Sequence, residues 1–505
     1  MNRILIIIVI LFTGTSASAT TYYIDVVGGL DTNTSTQAQS KLTPWAHAPC
    51  MLSATSNAAA YTSVAGDSFI FKGGVTWPHA SWPCHETHSG SNGNPITFGV
   101  DQTWFTGGVW TRPILTGGST PMTFNSFFQL QSVSYITVDN FEMTGLNWNS
   151  NSGVSCMVTS GSTHITVTNL YIHGWTHTGS ATIDEFACLK GDTVTPFGNG
   201  DTADHIVFDG SDSTNSGDSG AGTYAWPTVT NSVFHDAANG ILSNGQGIDI
   251  IAFNSIYNIH QSFDGTQHDN AYEAIGGTGT YYIHDNLIHD AIGECFMIGN
   301  GSDSYYVWNN VIYQGGTGNC NPFHFPQNLL ANSSGFMTFW NNVMIPEAGV
   351  QCFLQVGTPS PGWNAVTIEN NHCITTGTLN NTITTTTLTI DHNTLMTPTT
   401  ATGQGYTSVQ TFAYSPTAGG NSTIGAGVNL TSSWPGGYST SDTSYACTQI
   451  AGSGGQVVSC PTRTINIRPS GSAAWDTGPY EFIPGISSPP APSPSMFARI
   501  GDIIQ

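Results

Sequence analysis

The chain has 505 residues and carries only 8 Lys and Arg against 31 Asp and Glu, a formal charge of −23. Such a surface repels nucleic acid and anionic membranes, which excludes both as partners. Charged residues make up 8% of the chain, yet hydrophobic residues reach 39% and aromatics 11%, the composition of a folded protein and not of a disordered one.

Residues 1–19 read as a cleavable secretory signal. Met1 to Arg3 carry one cation, Ile4 to Phe12 are unbroken apolar, and a small-residue stretch ends Ala17-Ser18-Ala19. Cutting is expected after Ala19. The apolar run falls short of the roughly 20 residues needed to span a bilayer, so the expected location is outside the cell or on its surface, without membrane insertion. The ten cysteines agree with export. Cys447 and Cys460 flank a Gly/Ser-rich loop and form the first expected disulfide, and Cys50 with Cys84 the second. Cys156 and Cys188 occupy matching places in successive repeats, where they could be bonded or merely stacked.

From about residue 134 a short pattern recurs, each time an alternating run of β-branched and aromatic residues ended by Asn. The terminating residues are Asn140, Asn169, Asn231, Asn254, Asn286, Asn310, Asn342, Asn371 and Asn393. Asn tolerates a left-handed backbone at a turn, and its amide can bond to an identical amide stacked on it. Most gaps between these positions run from 22 to 32 residues, and the wide gap after Asn169 holds another strand-like piece, Ile206 to Asp209. Periods of this size indicate a solenoid. The Leu ladder of leucine-rich repeats is missing, no apolar run has a 3.6-residue period, and propeller blades need longer units. The pattern therefore predicts an all-β, right-handed parallel β-helix in which the asparagines mark equivalent corners of one stack. A second ladder supports the register: Phe186 and Cys188, Ile241, Tyr272 and Ala274, Phe296 and Ile298, Phe323 and Phe325, and Phe353 are expected to point inward.

The opening Tyr22-Tyr-Ile-Asp25, Gly28-Gly-Leu-Asp-Thr-Asn33 and Pro44-Trp45 resembles the N-terminal module of secreted right-handed β-helix proteins of the pectate-lyase-like superfamily. The close, Ile467-Arg-Pro-Ser-Gly471 and Trp475 to Phe482, resembles the C-terminal motif of the same group. Residues 20–133 are thus expected to form a cap and the first coils, and 134–483 the β-helix with its closing segment. Residues 484–505 begin with a Pro/Ser-rich extended tail, and Met496 to Gln505 are too short to fold alone. The resemblance implies an elongated face that meets a polysaccharide, and it covers lyases, hydrolases, epimerases and proteins without activity.

Members that cleave polysaccharides work on the outward face of one sheet. Here the outward residues of the second ladder are expected to be Ala187, Leu242, Glu273, Met297, His324 and Leu354, with Asn239, Asn270, Glu294, Asn321 and Gln351 just before the strand. The densest cluster runs from Asp264 through His268, Asp269 and Asn270 to Glu273. With Glu294 and His324 from the next coils, it supplies carboxylates and imidazoles suited to general acid and base work. Thr144, His173, His235, Asn258, Asp290 and Gln314 all follow a ladder Asn by four residues and read as structural turn residues. Between Arg112 and Arg463 the only Lys or Arg is Lys190. Elimination from a uronate polymer needs cations to acidify the proton beside the carboxylate, so this departs from the cation-dependent lyase pattern. Calcium held by Asp184 and Glu185 could substitute, with His268 or Lys190 as base. Eight tryptophans, Trp45, Trp77, Trp82, Trp104, Trp110, Trp148, Trp175 and Trp226, gather in the N-terminal half. Trp148 and Trp175, in loops after the turn, are the expected sugar-stacking residues. Two readings stand: an exported lyase or hydrolase of polysaccharides, and a non-catalytic glycan-binding or adhesive surface protein.

Overall fold

A strand that ends in a left-handed residue reverses its facing without a loop, and this chain does so at ten corners among the described residues. The corner residues are Asn140, Asn169, His205, Asn231, Phe253, Asp285, Asn309, Asn341, Asn370 and His392, with φ between 48° and 69°. The computed structural model describes residues 19–482 except 119–120, 123–125, 149–154, 178–185, 192–199, 214–219, 244–246, 261–268, 275–278, 299–302, 316–319, 321–322, 326–334, 357–362, 411, 434–439, 443–446, 463–464 and 470–471.

A full coil contributes one strand to each of three long parallel sheets, in the order A, C, B, and the terminal coils contribute fewer. Sheet A has thirteen strands, from Thr21–Ile24 to Thr385–Asp391. Sheet C has twelve, from Thr76–Trp77 to Thr394–Met396, and sheet B ten, from Cys84–Glu86 to Phe353–Gln355. The chain is a right-handed parallel β-helix. With strands about 4.8 Å apart, sheet A makes a rod of roughly 60 Å.

The left-handed corner joins sheet A to sheet C, and the asparagines play two different parts in it. Asn140, Asn169 and Asn231 are the left-handed residues themselves. Asn254, Asn286, Asn310, Asn342, Asn371 and Asn393 sit one position later, where the side chain turns into the bore. The nine are therefore not one equivalent row. The inward position is filled by Phe141, Leu170 and Ile206 in the early coils, then by Ser232, and only afterwards by Asn. There the Oδ1 of each Asn accepts both the backbone N–H and the amide of the Asn before it, as Asn342 Oδ1 does from Asn310 N and Nδ2, both at 3.0 Å. The same pair of bonds joins Asn254 to Asn286, Asn286 to Asn310, Asn342 to Asn371, and Asn371 to Asn393. The strand-like piece after Asn169 is the sheet C strand Val207–Asp209, and its corner uses His205 in place of Asn.

The inward column of sheet B contains Ile241, Tyr272, Phe296 and Phe353, all buried. Leu189, not Cys188, shares that column, through Thr223. Cys188 lies one residue earlier and is bonded to Cys156. The side chain of Phe186 lies outside the described residues. Cys50–Cys84 and Cys447–Cys460 are bonded as expected, and Cys295–Cys320 and Cys352–Cys373 complete five disulfides.

After the last coil the chain runs back along the A–C corner as a strap. Trp475 packs on Trp308, Trp340 and Leu430. Arg468, only 2% exposed, bonds to Asn309 Oδ1 at 3.1 Å and pairs with Glu481 at 3.2 Å. Earlier in the strap, the antiparallel hairpin Thr448–Gly452 with Gly455–Ser459 crosses sheet C, where Arg112 Nη1 donates to the carbonyls of Gly454 and Gln456.

Replacing Asn342 with Ala leaves the buried backbone N–H of Asn310 without its acceptor and takes one acceptor from its amide, which keeps the carbonyls of Ile283 and Trp308, at a cost of roughly 1–3 kcal/mol. A urea-unfolding midpoint should fall clearly for Asn342→Ala and far less for Asn393→Ala at the half-exposed end of the ladder. Equal midpoints for the two variants would show that the amide stack contributes nothing.

Candidate functional site

Sheet register sets which side chains share the outer face of sheet B. Val158, Lys190, Tyr224, Leu242, Glu273, Met297, His324 and Leu354 form one column, each paired with the next. Ala187 does not belong to it. Ala187, Ala221 and Asn239 form the neighbouring column three residues earlier in the strand. Lys190 therefore replaces Ala187 in the row of Glu273, which sequence spacing could not reveal because the coil between them holds an insertion.

Glu273 is the one carboxylate in the middle of an otherwise apolar stretch of this column. It is 3% exposed, and its Oε2 accepts from Asn270 Nδ2 at 2.7 Å. Asn270 ties three coils together. Its backbone N–H donates to Asn239 Oδ1 at 3.0 Å, its own Oδ1 accepts from the Glu294 backbone at 2.8 Å, and its amide also lies 3.0 Å from Met297 Sδ. Asp269, buried, takes a left-handed conformation at φ 54°, and its carbonyl accepts from Gly293 N–H. Asp269, Asn270, Glu273 and Glu294 are thus gathered on adjacent coils. Lys190 is exposed and lies three coil steps from Glu273, about 14 Å along the column.

The remaining expected residues divide sharply. Asp264 and His268 lie outside the described residues, as do Asp184 and Glu185 of the expected calcium site. His324 is on the strand Phe323–Phe325 and Trp148 on Asn147–Trp148, but their side chains are outside the described part. Trp175 is in the core, fully buried and stacked on Phe208 at 4.4 Å, so it cannot lie against a polymer. Its loop position suggested exposure, but after the left-handed Gly174 (φ 66°) the second residue beyond the sheet C strand turns inward.

A second cluster, read from sequence as structural, lies on the outer face of sheet C. His173 bonds to Asp212 at 2.7 Å and to Glu142 at 3.1 Å. One coil step away are Asp209 and then His235, whose Nδ1 meets Asp236 at 2.5 Å and whose Nε2 meets Gln449 Oε1 of the strap hairpin at 2.6 Å. Gln449 donates to Asp209 at 2.7 Å. Donor atoms of Asp209, His235 and Asp236 lie within 4.8 Å of one another, so the three could hold a metal ion. Both nitrogens of His235 already have partners, so the group is also satisfied without one. Burial disfavours charge on His235, but Asp236, Asp209 and Gln449 outweigh it and raise its pKa. Farther along, His235, Tyr257, His289 and Tyr313 stack with centroids 4.7–5.1 Å apart and planes within 5°. Their faces are spent on each other, so they offer a sugar only ring edges. The signal for this ladder was present in the shared offset of His173 and His235 from the corner.

No protein-family model matches this sequence, nor does any curated protein. Among solved structures, the chain is similar to a GH136 lacto-N-biosidase from Eubacterium ramulus, at 11% identity and a TM-score of 0.44, over 75% of this chain and 68% of that one. It is also similar to a pectate lyase, at 14% and 0.43 over 92% and 97%, and to a rhamnogalacturonan lyase, at 14% and 0.37 over 74% and 87%. These likenesses concern the fold.

Burial alone would lower the pKa of His173, but Asp212 and Glu142 raise it to about 9. A raised imidazole stabilises the fold below its unfolded value near 6.5, and that contribution is lost as pH rises through about 9. The melting temperature should therefore drop between pH 7 and pH 10 by more in the native protein than in His173→Gln. Parallel pH profiles would show that His173 is neutral throughout.

Proposed function

We propose that this protein is an exported glycoside hydrolase that cleaves a polysaccharide laid across the outer face of sheet B, with Glu273 and Glu294 as its carboxyl pair. The observation that carries this is Glu273 itself, a carboxylate held by Asn270 on an outward column between Leu242 and Met297. A charged group in such surroundings is costly to keep unless it has work or a partner. Hydrolysis of a glycosidic bond needs two carboxyl groups flanking it, one to protonate the leaving oxygen and one to attack or to activate water. Asn270 contacts both coils, fixing Glu273 through its amide and the Glu294 backbone through its carbonyl oxygen. Asp269, one residue away in a left-handed turn, adds a third acidic group at the same place.

Elimination fits less well. Lys190 is too distant, at about 14 Å, to act on a sugar seated at Glu273. Its place in the column suits it to grip an anionic substituent farther along the chain. Calcium enters this reading only through Asp184 and Glu185. The five disulfides agree with an oxidising compartment outside the cytoplasm. A non-catalytic glycan-binding role is favoured by one observation, the near-complete burial of Glu273.

A panel of plant, algal and microbial polysaccharides separates these readings, followed at once by reducing-end assay and by absorbance of unsaturated uronate. New reducing ends without unsaturated product are expected. Glu273→Gln and Glu294→Gln should each lower turnover by roughly 100-fold or more with the melting temperature nearly unchanged. Unsaturated product would establish elimination, binding without product would establish the adhesive role, and full turnover in both variants would remove these residues from the site.

A further inference from the structure

On the outer face of sheet C one column runs through His173, Asp209, His235, Tyr257 and His289, each in register with the next. Two of its histidines sit among carboxylates, but at different distances. His173 makes ordinary hydrogen bonds with Asp212 and Glu142, at 2.7 and 3.1 Å. Around His235, two of the imidazole–carboxylate contacts are too long for that. His235 Nε2 lies 3.6 Å from Asp209 Oδ1, and His260 Nε2, from the next coil, lies 3.8 Å from Asp236 Oδ1. Two ligands of one tetrahedral zinc ion, at its usual bond lengths, stand roughly 3.4 Å apart. The spacing is that of side chains around an ion. One donor atom from each of Asp209, His235 and Asp236 falls within 4.8 Å of the others.

His260 supplies a second, separate observation. It follows the strand Ser255–Ile259, and its backbone N–H donates to the carbonyl of Ala237. Its Nε2 is buried and has no hydrogen-bond partner, which costs stability unless something else meets it. Asp236 Oδ1, the oxygen it faces, already accepts from Asn258 Nδ2. Charge points the same way. Among the described residues, Asp209 and Asp236 form ion pairs with imidazoles and with no Lys or Arg.

We propose that Asp209, His235, Asp236 and His260 bind one divalent transition-metal ion of the zinc class, which staples three successive coils. Two carboxylates and two imidazoles are a borderline donor set, whereas calcium and magnesium prefer oxygen alone and copper(I) prefers sulfur. The hydrogen bonds of His235 suit it as a ligand. Its Nδ1 meets Asp236 and its Nε2 meets Gln449 Oε1. An ion taking either nitrogen leaves the other with an acceptor that fixes the ring. Gln449 also donates to Asp209, so the ion steadies the hairpin strand Thr448–Gly452 as well.

Isothermal titration of the full-length, chelator-treated protein with zinc chloride tests this. One ion per chain should bind with micromolar affinity or tighter, and calcium chloride should compete poorly. Affinity should fall at least about tenfold in His260→Gln and in Asp209→Asn, with far-ultraviolet circular dichroism unchanged. Zinc should raise the melting temperature of the native protein, and by far less that of either variant. Cobalt(II) added to the native protein should give the strong visible absorption of a four-coordinate ion, a readout that needs no variant to fold. Absence of zinc binding, undiminished affinity in both variants, or a preference for calcium would each overturn the proposal. None of these measurements involves turnover, so they stand or fall apart from the reading of Glu273 and Glu294.

Discussion

The left-handed corner between sheets A and C is the constraint on which the rest of the molecule depends. It places two successive side chains on opposite sides of the wall, one outward at the corner and one inward just after it. The inward residue builds the bore, as Phe or Leu early and as stacked Asn later. The outward residue is read by the strap. Asn341 donates to the carbonyls of Asp476 and Gly478, Asn370 exchanges two bonds with Val428, and Asn309 accepts from Arg468. A slip of one residue at this corner would turn polar amides out of the bore and bulky strap contacts into it. The corner thus holds the register of all three sheets and docks the C-terminal segment. Even Phe253, a bulky residue in a left-handed conformation that costs on the order of 1–2 kcal/mol, is held there, its carbonyl accepting from Cys447 N–H at the disulfide that closes the hairpin.

Charge is arranged by scarcity. With 8 Lys and Arg in the chain, acidic side chains must find other partners. On sheet C these are imidazoles: His173 between Glu142 and Asp212, and His235 between Asp236, Asp209 and Gln449. On sheet B they are amides, Asn270 above all. The difference has a functional consequence. An imidazole held between carboxylates has its pKa raised and its ring nitrogens occupied, and the hairpin meets His235 through Gln449. The proposed reading assigns substrate to sheet B, where Glu273 is held by an amide on an outward column between Leu242 and Met297.

Along the rod, covalent links and packing share the work unevenly. Cys156–Cys188, Cys295–Cys320 and Cys352–Cys373 each join one coil to the next, where the nearest-neighbour character of a solenoid leaves every interface to hold by itself. The N-terminal coils add aromatic mass, with Trp45, Trp77 and Trp82 in the core. The C-terminal coils rely on the amide ladder and the strap.

Much of this could be read from residue order. Solenoid class, strand positions, the corner and the inward placement of Ile241, Tyr272, Phe296 and Phe353 all follow from local periodicity, because a strand declares its facing every second residue. Two of the five disulfides, Cys50–Cys84 and Cys447–Cys460, were also legible in the sequence, and structure decided that Cys156 and Cys188 are bonded and not merely stacked. What only tertiary structure decided were relations between coils. The insertion after Asn169 hid the alignment of Lys190 with Glu273, and the shift from left-handed Asn231 to inward Asn254 divided one apparent row into two. Trp175 proved to be core, and the strap placed Gln449 against His235 across more than two hundred residues. Local sequence determines which side of the wall a side chain takes. Which coil stands beside it depends on loop lengths and corner offsets summed along the chain, and only the stacked molecule resolves that sum.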